Sequence, residues 1–201
     1  MTEEQTRKLF HDLKNDFAAM TALLNLHKIY KNTLDSEELL SRLTERQLVI
    51  STAYEALYQE DNFPNINMPS FVSEVLQREH RTLGNYCSWI DIKKDIADID
   101  IPLKHAMPFT QIIVELVSNS YRHAFAGKHE NKLITIAITG TANKMKLEYT
   151  DNGTGFPAEF DPDKSRTLGM QFIRSFAKQL GSKVLFGIPE VDTGMSCTFE
   201  C

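Results

Sequence analysis

The first 60 residues contain neither glycine nor proline, and their apolar side chains recur in steps of three and four. Phe10, Leu13, Phe17, Met20 and Leu24 step 3, 4, 3, 4, which lays them along one seam of a helix. Leu40, Leu43, Gln47, Ile50, Tyr54 and Leu57 repeat that stepping in a second segment. Between the two lies YKNTLDSEELL, in which Ser36 is placed to cap a helix. Glu37 and Glu38 would then face the positive end of that helix. The spacing therefore predicts an antiparallel helical hairpin. Two helices of roughly 25–30 residues, each ~40 Å long, cannot bury both faces against one another alone. Pairing two hairpins into a four-helix bundle solves this, so a homodimer is expected.

The segment EDNFPNINMPS, residues 60–70, is rich in Asn and Pro and reads as a linker. It separates a hairpin unit, residues 1–62, from a mixed unit, residues 70–201. In the second unit SFVSEVLQREHRTLG reads as a helix ended by Gly84, and CSWIDIKKDI as a strand. MPFTQIIVELVSNSYRHAFAG reads as a helix with Pro108 near its first turn and Gly127 at its end. KLITIAITG and KMKLEYTD alternate like paired strands around the turn TAN. RTLGMQFIRSFAKQLGSK is a further helix, and KVLFGI with MSCTFEC makes a closing hairpin.

Bulk properties exclude several function classes. The net charge of −5 argues against a nucleic-acid surface or an anionic membrane. Three cysteines, Cys87, Cys197 and Cys201, with no CxxC pair, suggest neither a disulfide framework nor a zinc site. No apolar run approaches the ~20 residues of a membrane span, and MTEEQTRK is no signal peptide. A reducing, cytoplasmic setting without direct membrane insertion is expected. Any external signal would arrive through a partner, such as a separate sensor protein, or through a segment outside this sequence.

Three short stretches carry candidate chemistry. Glu115, Asn119 and His123 stand at i, i+4 and i+8, on one face of a helix. A carboxylate and a carboxamide one turn apart offer oxygens to a hard cation such as Mg²⁺. Arg122 and His123 add positive charge or donors for phosphate; an ordinary solvated helix face has the same spacing. In YTDNGTGF a strand runs into Asp151, followed by Gly153 and Gly155. An aspartate there can accept from an exocyclic amine such as that of adenine, although DNG is also a common turn sequence. In SRTLGMQFIRSFAKQLG, Gly169 lies in the first turn of a helix, where backbone N–H groups attract anions. Simple helix initiation would look the same.

In order and spacing, ELVSNSYRHAF, DNGTGF and TLGMQFI resemble the N, G1 and G2 boxes of the GHKL ATPase superfamily, over roughly residues 85–201. The resemblance implies that Asn119 helps to hold Mg²⁺ and that Asp151 recognises adenine. The G2-like stretch departs from many kinases in having one glycine, Gly169, and only a short segment separates Phe156 from Leu168. HDLKNDFAAMTALLNLH resembles the H-box of HisKA_2-type sensor histidine kinases, beginning His-x-x-Lys-Asn. RLTERQLVISTAYEALYQE resembles the second helix of the same dimerisation and phosphotransfer domain. The implied fold is α+β: the hairpin, then an α/β sandwich of the GHKL type.

The implied activity is autophosphorylation of His11 from Mg²⁺-ATP and transfer to an aspartate of a response-regulator receiver domain. His11 lies beside the apolar seam rather than within it, so its ring is expected to be exposed. Asp12 is the candidate to orient or deprotonate the imidazole, Asn15 to orient the ring or the γ-phosphate. Two other functions stay open: a phosphotransferase or adaptor whose catalytic-like domain does not bind ATP, and a serine-directed kinase. The second leaves the H-box unexplained.

Overall fold

The computed structural model describes residues 36–59, 65–83, 89–125, 130–142, 144–187 and 194–201, together with residues 4, 7, 11, 13, 14, 17, 18, 20 and 21. The residues described between 4 and 21 are all helical. Phe10, Asp12, Asn15, Leu24, Gly84, Cys87 and Gly127 lie outside the described residues.

Helix α1 (Ser36–Gln59) is the second segment with 3,4 stepping. Strand β1 (Asn65–Asn67) and helix α2 (Met68–Leu83) follow. Strands β2 (Asp91–Ile96) and β3 (Asp100–Pro102) lead to helix α3 (Leu103–Asn119). A π-helical turn, Ser120–Ala124, continues α3. Strands β4 (Leu133–Thr141) and β5 (Lys144–Asp151), helix α4 (Leu168–Gln179) and strands β6 (Val184–Gly187) and β7 (Met195–Glu200) complete the chain. The result is a mixed α and β fold.

Five strands form one sheet in the order β2-β4-β5-β7-β6. Only β2 and β4 run parallel; β4–β5, β5–β7 and β6–β7 are antiparallel. Strand alternation sorts side chains between the two faces. Ile134, Ile136 and Ile138 of β4, Met145, Leu147 and Tyr149 of β5, and Cys197 and Phe199 of β7 are all buried. Helix α3 packs against this face, with Phe109 edge-on to Phe199 at 5.6 Å between ring centres. The same alternation makes Asp151 the last inward position of β5, one step beyond Tyr149. A carboxylate thus sits where the pattern would put a core residue.

The structure differs from the sequence reading in three places. Residues 65–67, read as linker, form β1, paired antiparallel with β3 from Asn65↔Pro102 to Asn67↔Asp100. Buried Ile66 and Ile101 drive that pairing despite the polar surroundings. Helix α3 starts at Leu103, so Pro108 is inside it and removes one ladder hydrogen bond. Buried Leu103, Ala106 and Met107 extend the helix upstream and offset that loss. In α1 the expected seam residues Leu43, Ile50 and Leu57 are buried, but the buried stripe also takes in Leu39, Arg42, Glu45, Val49, Thr52 and Ala53, because this helix lies on α2 and α3. Leu40 is left 61 % exposed and Gln47 points outward. From the first helical stretch, Leu13 and Met20 pack on the core while Phe17 is 55 % exposed.

Candidate active site

A cavity of about 650 Å³ opens between α1, the end of α3, the loop after β5 and the start of α4. That is the size of a small-molecule pocket. Asp151, Asn119, Arg122, His123 and Gly155 line it.

At one end, Asp151 is fixed by three donors. The Ser120 hydroxyl donates to Oδ2 at 2.6 Å. The backbone N–H groups of Gly153 and Met195 donate to Oδ1 at 3.0 and 3.3 Å. Behind Ser120, the buried Tyr149 hydroxyl stands 2.7 Å from Ser120 Oγ and donates to the Leu116 carbonyl. With Ser120, Gly153 and Met195 all donating, the carboxylate is an acceptor of fixed orientation, suited to a ligand N–H. The π-helical turn puts Ser120 in this position. Such turns recur at functional sites because they rotate one side chain out of helical register.

The glycines behind Asp151 are there for close approach. A Cβ on Gly153 would lie 2.5 Å from both Ala124 Cβ and Ala124 O. Thr154 N–H donates to that same Ala124 carbonyl at 2.9 Å, so the loop is pressed onto the π-helical turn. Gly155 has φ +71°, where an L side chain is strained. Phe156 stacks on Phe160 with ring centres 4.8 Å apart and meets Phe186 edge-on at 5.8 Å. These rings give the cavity an apolar wall.

At the other end, the residues expected to bind a cation meet a side chain that sequence reasoning missed. Arg42 of α1 is 2 % exposed. Its Nη1 donates to Glu115 Oε2 at 2.6 Å and its Nη2 to Asn119 Oδ1 at 2.9 Å. Glu45, one turn on, accepts from Arg122 and, at 3.0 Å, from the Ser118 hydroxyl. Burial opposes the charge on Arg42, but Glu115, Glu45 and Glu38 together hold the guanidinium above its ordinary value. Burial pushes the Glu115 carboxyl up, against the pull of Arg42. Gly169 is buried against this pair; a Cβ there would lie 3.0 Å from Arg42 Nη2 and 3.1 Å from Glu115 Oε2. His123 is held below its ordinary value by partial desolvation and by Arg42 and Arg122.

Of the expected site residues, the structure brings Asn119, Arg122, His123, Asp151 and Gly155 to one cavity, with Gly153 and Gly169 directly behind it. Glu115 is buried beneath Arg42 rather than lining the cavity. The His11 side chain is exposed on its helix. Asp12 and Asn15 are outside the described residues. Among the described residues, no group of three or more His, Cys, Asp or Glu is placed to hold a metal. No helix among them is long and apolar enough to cross a membrane.

Glu79 of α2 extends the buried cluster. It is fully buried, and neither carboxyl oxygen has a hydrogen-bond partner among the described residues. Burial, reinforced by Glu45, pushes it up to about 8. The folded state therefore holds a proton that the unfolded chain releases above its ordinary carboxylate range. Stability should fall as pH rises toward 8. Glu79→Gln supplies a neutral isostere. It should leave melting at pH 5 nearly unchanged and raise the melting temperature at pH 8.5 by roughly 10–20 °C, from about 1.4 kcal/mol per pKa unit. Thermal melts at the two pH values check this, and equal shifts at both would refute it.

Residues 9–82 match the HisKA_2 family model, described as a histidine kinase. The sensor histidine kinase PdtaS of Mycolicibacterium smegmatis is 26 % identical over 93 % of this chain. The sensor protein LytS of Enterococcus faecalis is 24 % identical over 91 %. The chain spans about 38 % and 28 % of the lengths of these two relatives. Among solved structures, the histidine kinase domain of the blue-light activated histidine kinase of Erythrobacter litoralis superposes with a TM-score of 0.68. That match covers 91 % of this chain and 82 % of that one at 16 % identity, and shows a shared GHKL-like fold. Over residues 9–82 the chain is thus similar to the HisKA_2 histidine kinases, and over nearly its whole length it is similar to sensor histidine kinases.

Proposed function

We propose that the chain is the kinase core of a two-component system. It takes ATP as phosphoryl donor, carries the phosphoryl group on His11 and hands it to an aspartate of a response-regulator receiver domain. What supports the reading most is one conjunction. An exposed His11 lies inside the HisKA_2 match, and the same chain holds a cavity of small-molecule size lined by a fixed acceptor, Asp151.

In this reading Asp151 accepts from the exocyclic amine of the purine, and the Phe156, Phe160 and Phe186 wall covers the base. Asn119, Arg122 and His123 lie toward the phosphates. A neutral nitrogen of His11 attacks the γ-phosphorus in line; the new P–N bond forms as the bond to the ADP oxygen breaks. The other ring nitrogen gives its proton to a base, the role expected of Asp12. Asn15 orients the ring. A receiver aspartate then displaces the imidazole from phosphorus.

Magnesium would offset charge on the phosphates, and Asn119 with Glu115 has the right donor chemistry for it. In this arrangement the two residues do not fit the ion, because Arg42 occupies an oxygen of each. That same contact favours the second reading, a phosphotransferase that does not bind ATP. Calorimetric titration with a nonhydrolysable ATP analogue separates the two. Saturable binding displaced by ADP is expected; no saturation into the millimolar range would leave the phosphotransferase.

The hairpin unit is proposed to dimerise. Leu40 and Phe17, 61 % and 55 % exposed on helical segments, provide apolar surface for a second copy. Light scattering at micromolar concentration should give twice the chain mass, and a monomer would remove this part of the proposal. The proposed source of the signal is a sensor, on a separate protein or on a segment outside this sequence.

A further inference from the structure

We propose that α1, docked as it is here, is an autoinhibitory latch: Arg42 acts as an internal cation on Glu115 and Asn119 and excludes the metal-bound triphosphate. The inference rests on the ATP-dependent reading above and adds to it how that site is regulated.

Two observations carry it. The first is the occupation of the donor oxygens. Arg42 reaches Glu115 and Asn119 with both terminal nitrogens, and Ser118 Oγ lies 3.3 Å from Nη1. The guanidinium is buried, and Gly169 closes over it from α4. A divalent ion on either oxygen would meet this charge at close range where solvent screens it little. The second is the charge of the wall that α1 presents. Glu37 and Glu38 line the same cavity as Asn119, Arg122 and His123, and Glu38 Oε1 stands 3.7 Å from Arg42 Nη2. Two carboxylates there repel a triphosphate. Neither feature touches the Asp151 end, so the latch acts on the phosphates and leaves the base site formed.

Arg42 and Glu45 sit on α1 while Glu115, Ser118 and Arg122 sit on α3 and its π-helical continuation. The locking contacts therefore join the hairpin helix to the nucleotide domain. Release needs α1 to slide or lift, which a displacement of the first helical stretch would bring about through the same hairpin. A signal reaching that hairpin thereby shifts the fraction of molecules able to take the metal-bound nucleotide.

The test uses the whole chain and a nonhydrolysable ATP analogue, titrated with and without Mg²⁺ into wild type and Arg42→Gln. The variant should bind the Mg²⁺-loaded analogue about tenfold more tightly than wild type, while adenosine binds both equally. Equal or weaker binding of the loaded analogue by a folded variant overturns the latch and leaves the ATP reading standing. No nucleotide binding by either protein overturns both. Arg42→Gln also strips a partner from buried Glu115, so a measurement on wild type stands beside it. Amide hydrogen exchange over residues 36–57 should accelerate when Mg²⁺ and the analogue are added together. Exchange that stays the same or slows shows that α1 remains docked and refutes the proposal, whether or not the variant folds.

Discussion

Asp151→Asn should weaken binding of adenine nucleotides by about a hundredfold without unfolding the chain. The size follows from losing a charge-assisted hydrogen bond, worth roughly 1.5–3 kcal/mol, at about 1.4 kcal/mol per tenfold. The fold should survive because the surrounding donors can adjust. In wild type, Ser120 donates to Oδ2, while Gly153 and Met195 donate to Oδ1 through rigid backbone N–H groups. A carboxamide can keep its oxygen toward the two backbone donors and turn its NH₂ toward Ser120. Ser120 then accepts and donates instead to Tyr149, whose hydroxyl retains the Leu116 carbonyl. An alanine would leave three buried donors unpaired and would confuse binding with stability. The loss should be equal for ATP and ADP, because the contact is at the base. An inosine nucleotide, whose hypoxanthine base lacks the exocyclic amine, should already bind to wild type about as weakly as ATP binds to the variant. Calorimetry on these ligands is the check. Unchanged ATP affinity, or an equal loss for the inosine nucleotide, would show that Asp151 does not read the amine.

Why Asp151 was legible in the sequence, and Arg42 was not, has a physical reason. Strand alternation alone directs Asp151 to the core face, since Met145, Leu147 and Tyr149 precede it at every second position. A carboxylate at an inward position is costly unless something uses it, so the motif and the pattern point the same way. The helix bearing Asn119 and His123 was legible for a similar reason, as the i, i+4 spacing fixes a shared face. Arg42 instead sits on a helix whose 3,4 stepping reads as a hairpin seam. Its burial depends on α1 lying on α3, a contact between residues more than 70 positions apart. Local patterning does not encode that docking. Ser120 was hidden because its direction depends on a π-helical turn in a stretch that reads as ordinary helix. Strand β1 was hidden because Asn and Pro dominate its segment, and one buried side chain, Ile66, outweighs them once β3 is beside it.

His11→Ala should reduce phosphoryl incorporation from γ-labelled ATP to background, a loss of at least about a thousandfold. No neighbouring side chain replaces a deleted nucleophile, because in-line attack needs a nitrogen lone pair at one position. The His11 ring is exposed on its helix, so its removal should change stability by less than about 0.5 kcal/mol. Titration with the nonhydrolysable analogue should be unchanged, since the cavity is lined by α1, α3, the loop after β5 and α4 and not by His11. That combination distinguishes a phosphoacceptor from a structural residue, which would lose binding and melting temperature along with labelling. The label on wild type should be lost in acid and kept in alkali, as a phosphoramidate is and a phosphoserine is not. Three outcomes would each move the acceptor elsewhere: label that persists in His11→Ala, label that resists acid, or labelling that falls only in proportion to ATP binding. In the last case the exposed histidine would be a surface residue, and the base site around Asp151 would be supplying phosphoryl groups to a different acceptor.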